Sequence, residues 1–281
     1  MTAVLSFQAA QYPADTRHAP HEHAALQLSL VLAGRVVETV GRVTEHAGAL
    51  SVVCKAAGVV HANVFGREGA RLARLTLADG DLASLLDDPA RASDWRWTHD
   101  PAVAAPFLRL VQHATTRAAT RDSTCDTTRD TTGDTTIAAD DPDLLDLLAA
   151  FSARPVRPRS GEAPAWLAET RDRMIAEWTP LMTVGVIARQ AGVHPVYLAR
   201  CMRRWYGVSV GGVLRTLRLR AAVSHCHTAR RSISDAAHAA GYADEAHFNR
   251  ALRAATGLTP ARYRNLVGAL DCRVDVRASG S

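Results

Sequence analysis

Three histidines and a glutamine in the amino-terminal part carry the spacing of a polar site. His21-Glu22-His23 places two imidazoles two residues apart, Gln27 follows four residues on, and His61 comes later, behind Gly58-Val59-Val60. Residues two apart on an extended strand share a face, so His21 and His23 point together and Glu22 points away. Neutral imidazole is a ligand for zinc, iron, nickel or copper. It is also a hydrogen-bonding partner for a small organic molecule. A divalent metal and a small-molecule effector are both candidate occupants. Cys54 is either a thiol sensor or a buried, inert side chain, and His18 is expected at the surface.

A second constellation lies in the carboxyl-terminal part, which repeats itself at about fifty residues. Val184-Gly185-Val186-Ile187-Ala188-Arg189-Gln190-Ala191-Gly192 corresponds to Ile233-Ser234-Asp235-Ala236-Ala237-His238-Ala239-Ala240-Gly241. Each copy has apolar residues at helical spacing, then Ala, three residues and Gly. The small Ala admits a second helix, and Gly permits the left-handed backbone of a tight turn. His194-Pro195 opens the next helix in one copy and Asp244-Glu245 in the other. Leu198 and Met202, then Phe248 and Leu252, face inward and leave Arg200 and Arg250 outward. Arginine pairs bidentately with guanine O6 and N7, which makes these two the candidates for base edges. Arg203 and Arg204 suit phosphate contacts or simple solvated charge as well as they suit base reading. The copies end in Gly207-Val208-Ser209 and Gly257-Leu258-Thr259-Pro260, with a long helix over about 209–229 between them. Two helix-turn-helix units on one stiff connector could enter successive major-groove turns, about 34 Å apart.

Charge agrees with that division of labour. The net charge of +5 is the balance of −4 over residues 1–163 and +9 over residues 164–281, so a polyanion partner is expected for the second part alone. Lys55 is the one lysine among 33 basic residues, and the arginine excess reads mainly as genomic base composition. A composition of 47% hydrophobic and 22% charged residues excludes general disorder. No run approaches the roughly 18 apolar residues of a membrane span, and Met1–Ser6 does not begin an export signal. Five cysteines without a CxxC pair fit a reduced cytoplasm.

The elements that must position these groups follow from pattern. Residues 24–77 contain short strands, such as Leu26–Leu32, Arg35–Val40 and Leu50–Val53, separated by Gly34, Gly41, Gly48 and Gly58. That spacing predicts a barrel or sandwich with glycine turns. Helical faces follow at Leu82, Leu85 and Leu86, at Phe107, Leu108 and Val111, and at Leu144, Leu145, Leu147 and Leu148. The tract Arg121–Thr136 repeats an Asp-Thr-Thr unit and predicts a solvated loop over about 120–139. Arg154–Gly161, rich in Pro and Arg, marks a linker. The expected division is 1–152, a linker at 153–163, a helical domain at 164–266 with Pro164 near its first helix, and a tail at 267–281.

The run Gly241-Tyr242-Ala243-Asp244-Glu245-Ala246-His247-Phe248-Asn249-Arg250-Ala251-Leu252, followed by Gly257-Leu258-Thr259-Pro260-Ala261-Arg262-Tyr263-Arg264, resembles the signature of the AraC/XylS transcription regulators. The resemblance covers about 100 residues, 164–264. In that family the outward side chains of both second helices touch bases. By position this implies Val196, Tyr197, Ala199 and Arg200, then Glu245, Ala246, Asn249 and Arg250. Val210 stands where the family has Pro, Val213 where it has an aromatic residue, and Met202 where Phe is common; a looser first unit is the expectation. The histidine pattern resembles that of cupins, in which two His, a Glu and a later His hold a divalent metal inside a β-barrel. Gln27 occupies the Glu position.

The expected fold class is α+β and multidomain: a cupin-like β-barrel with a helical hairpin, then an all-α double helix-turn-helix domain. The resemblance implies a cytoplasmic, non-enzymatic regulator of transcription that requires no cofactor. Double-stranded DNA, an effector and a second copy of the chain are its expected partners, the dimer forming through helices in 79–150. RNA polymerase is added if it activates, and a membrane is not expected. Two other readings compete. A cupin metalloenzyme with a DNA-binding appendage is disfavoured by Gln27, and a non-specific architectural binder by the two distinct outward faces.

Overall fold

Long β-branched and leucine-rich runs between residues 26 and 77 build the sheet around which the amino-terminal part is organised. The computed structural model describes residues 5–77, 95–122, 137–138, 141–152, 163–227 and 231–271. Among the described residues there are seven strands: β1 (Leu5–Tyr12), β2 (Arg17–His21), β3 (Leu26–Val40), β4 (Val43–Gly48), β5 (Val52–Lys55), β6 (His61–Leu77) and β7 (Arg96–Thr98). All pairings are antiparallel, in the order β1-β6-β3-β5-β7, with β2 also on β6 and β4 also on β3.

Gly34 does not make the expected turn. It lies inside β3, where φ is +78° and an added Cβ would stand 2.0 Å from the Gly69 carbonyl oxygen. Only a residue without a side chain allows that approach. The pairing register of β3 on β6 shifts beside it, between Val31 and Ala33 and again between Gly34 and Val36. Two strands of 15 and 17 residues thereby run through a bend, with β1 and β5 flanking one half of the pair and β2 and β4 the other.

The closed barrel expected from the cupin resemblance is not observed. Among the described residues the outer strands do not pair with one another, so the sheet is open. Closure needs tilted edge strands long enough to share a ladder. At one edge stands β7, three residues long and paired to β5.

Helices α1 (Pro101–Asp122) and α2 (Pro142–Ser152) pack on each other as the expected hairpin. Arg109 joins them, its Nε donating to Asp143 Oδ1 over 2.7 Å. Phe107, Leu108, Val111, Leu144 and Leu147 are buried, but Leu145 is 41% exposed and does not share their face. Of the expected solvated loop, α1 reaches Asp122, Ile137 is buried and Ala138 is exposed; the rest lies outside the described residues, as do Leu82, Leu85, Leu86 and the Arg154–Gly161 linker.

Among the described residues seven more helices follow: α3 (Ala165–Ala176), α4 (Val184–Gln190), α5 (Pro195–Tyr206), α6 (Val210–His227), α7 (Ile233–Ala239), α8 (Glu245–Thr256) and α9 (Pro260–Asp271). The chain divides into two compact units, 1–153 with 252–281, and 154–251. The division therefore differs from the expected one, because α9 groups with the sheet. It also runs past the expected start of the tail, with Val267 and Leu270 buried. Among the described residues no helix is long and apolar enough to cross a membrane.

Candidate nucleic-acid interface and polar cluster

In the helical unit the repeat holds down to individual hydrogen bonds. Gly192 and Gly241 both adopt left-handed φ, +67° and +80°. The next residue's N–H then donates to the alanine carbonyl five positions back: Val193 to Ala188 and Tyr242 to Ala237, each over 3.0 Å. This is the closure of a helix by a left-handed residue, made twice. At Gly241 packing adds a second requirement, because an added Cβ would lie 3.0 Å from Pro180 Cβ.

The helices are capped by side chains chosen for that work. Thr183 accepts from the Val186 N–H at the start of α4. His194 Nδ1 accepts from the Val196 N–H at the start of α5, where Pro195 takes the first position. Ser232 and Asp235 exchange hydrogen bonds at the start of α7. Asp244 Oδ1 accepts from the His247 N–H over 2.6 Å as α8 opens. Each cap satisfies a donor that a helix end leaves unpaired.

On α5, Leu198, Cys201 and Met202 enter the core of the first unit with Ile187, Ala188, Leu167 and Met174. Val210 is buried there too, and Val213 packs against it. Met202 and Val210 are thus buried in this core, with Val213 partly buried against it. On α8, Phe248 and Leu252 are fully buried.

The opposite faces are open. Val196 and Tyr197 are 59% and 49% exposed, Arg200, Arg203 and Arg204 are exposed, and Ala199 is half-buried. Tyr197 stacks on Trp166 at 5.8 Å, and the Arg204 guanidinium lies 5.6 Å over the Trp205 ring. Glu245, Ala246 and Arg250 are exposed on α8, with Asn249 half-buried. Arg200 and Arg250 each occupy the sixth position of their helix. The anchoring of Tyr197 by Trp166 was not legible from spacing, since the two belong to different helices.

The sheet unit brings together His21, His23 and His61, whose candidate ligand atoms all lie within 4.8 Å of one another. β2 on β6 sets His21 opposite His61, with ring centroids 4.3 Å apart. His18 adds a fourth imidazole, 5.7 Å from His21, and meets Tyr12 and Phe65 edge-on. It is therefore part of an aromatic cluster and not the plain surface residue expected. Gln27 is buried in register with Lys55, and its Oε1 has no hydrogen-bond partner among the described residues.

Sequence reasoning missed the charged centre of this cluster. Lys55 Nζ lies 2.8 Å from Glu38 Oε1 and 3.0 Å from His61 Nε2. Glu38 Oε2 accepts from Trp95 Nε1 and Trp97 Nε1 over 2.6 and 2.8 Å. Burial pushes the Glu38 carboxyl up, but the Lys55 ammonium and these hydrogen bonds outweigh it and hold the group below its ordinary range. Burial lowers Lys55, and Glu38 offsets part of that. Burial first, and the Lys55 charge second, bring both His23 and His61 down to about 4. Both imidazoles are thus neutral at pH 7. The signals available beforehand were a lone lysine in an arginine chain and a glutamate inside the apolar run Val36–Val40. Cys54 is buried and its thiol is pushed up to about 12, which leaves it protonated and unsuited to thiol sensing.

Residues 187–266 match the family described as a helix-turn-helix domain. The HTH-type transcriptional regulator GlxA of Rhizobium meliloti (strain 1021) is 33% identical over 129 residues, which cover 43% of this chain and 40% of that protein. The match thus spans less than half of that relative's length. Similar solved structures include ToxT from Vibrio cholerae, at 11% identity over 93% of this chain and 98% of that one, with a TM-score of 0.35. The C-terminal domain of AraT from Geobacillus stearothermophilus is 21% identical over 43% of this chain and 95% of that one, with a TM-score of 0.34.

Proposed function

We propose that this chain, whose residues 187–266 form an AraC-type helix-turn-helix domain, regulates transcription by reading DNA sequence with two helices, α5 and α8. One observation supports this reading above the rest. Both helices follow the same glycine turn and carry an exposed arginine at the same position, Arg200 and Arg250. A recognition helix places such side chains at base edges in the major groove. Val196, Tyr197, Ala199, Glu245, Ala246 and Asn249 complete the two reading faces, and Arg203 and Arg204 contact phosphate.

The sheet unit senses a small molecule, with His21, His23, His61 and Gln27 as its polar contacts. Binding there shifts the affinity or geometry of the DNA-reading helices. The chain works in the cytoplasm as a homodimer and meets RNA polymerase at promoters that it activates. The reading involves no catalysis.

Selection of bound sequences from random duplex DNA, with the full chain at about physiological salt, tests the proposal because non-specific binding is suppressed there. Two conserved blocks about one helical turn apart are expected. One block would restrict base reading to one helix. No enrichment, with or without extract small molecules, would overturn it.

A further inference from the structure

The three-histidine cluster has the residue types of a divalent-metal site, yet its geometry is committed elsewhere. His61 Nδ1 lies 2.9 Å from the Val59 carbonyl oxygen and donates to it, which leaves Nε2 as the nitrogen with the lone pair. The Lys55 ammonium lies 3.0 Å from that Nε2. A zinc ion bound to the same nitrogen would sit at about 2.0–2.1 Å, in the space the ammonium takes. Lys55 cannot swing aside into water, being 5% exposed and held by Glu38, whose second oxygen is fixed by two tryptophan N–H groups.

Charge points the same way. Where the cupin pattern has a carboxylate, Gln27 supplies a neutral amide, and Lys55 stands directly opposite it in the strand register. Gln27 adds no negative charge, and the Glu38 carboxylate beside the cluster is already neutralised by the Lys55 ammonium, so neither draws in a dication. A lysine suits this role better than an arginine, because its ammonium is a compact point charge and not a planar fork. In a chain with 33 basic residues, this position alone holds lysine.

We infer that the Lys55 ammonium is the built-in cation of this cluster. The native chain therefore takes no divalent metal there, and removal of the ammonium alone opens a metal site of His21, His23 and His61. The Glu38 carboxylate, its Oε1 3.8 Å from His61 Nε2, would stand beside the three imidazoles as a neighbouring negative charge. The inference rests on the cluster alone and does not depend on the DNA reading.

The test uses the full chain and zinc alone. Equilibrium dialysis with metal analysis compares wild type with Lys55→Ala and, because that change strands a buried carboxylate, with Lys55→Met/Glu38→Gln. Wild type is expected to hold no zinc that His23→Ala removes. Lys55→Ala is expected to bind one zinc at least about 100-fold more tightly than wild type, and to lose it when His23→Ala is added. The double variant, without the carboxylate, is expected to bind between the two. In wild type, 15N-lysine labelling yields one side-chain resonance, that of Lys55, which is expected to stay in place as zinc is added. Stoichiometric zinc in wild type that His23→Ala removes, or displacement of the lysine resonance by zinc, would overturn the inference. Folded variants that gain no zinc would overturn it equally. If neither variant folds, the wild-type resonance and dialysis decide.

Discussion

Tyr263 on α9 donates its phenolic proton to the main-chain carbonyl of Leu32 on β3 over 2.6 Å, and both residues are buried. The tyrosine belongs to the stretch that carries the helix-turn-helix signature, 231 positions from its acceptor. It explains why α9 groups with the sheet: a buried carbonyl inside β3 has found its donor there. Tyr263→Phe keeps the ring and strands the carbonyl, so a loss of about 1–3 kcal/mol is expected on chemical denaturation. An unchanged midpoint would show that water replaces the hydroxyl.

The bend in the two long strands rests on Gly34. A Cβ would meet the Gly69 carbonyl oxygen at 2.0 Å, in a backbone region that L-residues rarely adopt. Gly34→Ala is expected to destabilise the sheet unit by about 3 kcal/mol or more. Thermal unfolding followed by circular dichroism reads this directly, and a stable Gly34→Ala protein would mean that the bend relaxes freely.

Ser232 and Asp235 cap α7 reciprocally. Ser232→Ala is expected to cost about 1 kcal/mol of stability and, through poorer ordering of the second unit, to weaken specific DNA binding more than non-specific binding. Competition between a selected site and random duplex separates the two.

Arg200→Ala and Arg250→Ala should each cost about 1–3 kcal/mol on a selected sequence and relax preference at one base position. Arg203→Ala should instead weaken all sequences alike and lower the salt dependence by about one unit of slope. Equal losses on specific and random DNA for Arg200→Ala or Arg250→Ala would assign those arginines to phosphate.

The lowered imidazoles predict a pH profile. His23 and His61 titrate at about 4 when folded and near 6.5 when unfolded, so between these values the unfolded chain binds more protons. Their contribution to stability is full above about pH 6.5 and is lost progressively as pH falls towards about 4. Denaturation midpoints at several pH values in that window should decline with acidity, and His23→Gln should flatten the decline. A profile level down to pH 5 would contradict the burial that causes the shifts.

Local pattern was enough for one half of this protein. The paired Ala-x-x-x-Gly turns, the caps at His194 and Asp244, and the inward pairs Leu198–Met202 and Phe248–Leu252 depend on contacts within a few turns of helix. A periodicity of 3.6 and a glycine with positive φ are written in adjacent residues. The three histidines could be grouped as well, through the resemblance to the cupin pattern, although His23 lies beyond the end of β2.

What spacing could not supply is long-range pairing. Gly34 reads as a turn until Gly69 is seen against it, and Lys55 reads as codon bias until Glu38 and His61 close around it. The same holds for Tyr263, whose acceptor is a main-chain group carrying no identity of its own. By itself the sequence determined the helix-turn-helix repeat and the residue types of the polar cluster. Only the tertiary structure decided that the sheet is open, that α9 joins it, and that an ammonium stands among the histidines. Those outcomes depend on which distant strands share a register and which buried groups must be satisfied, and no local period encodes either.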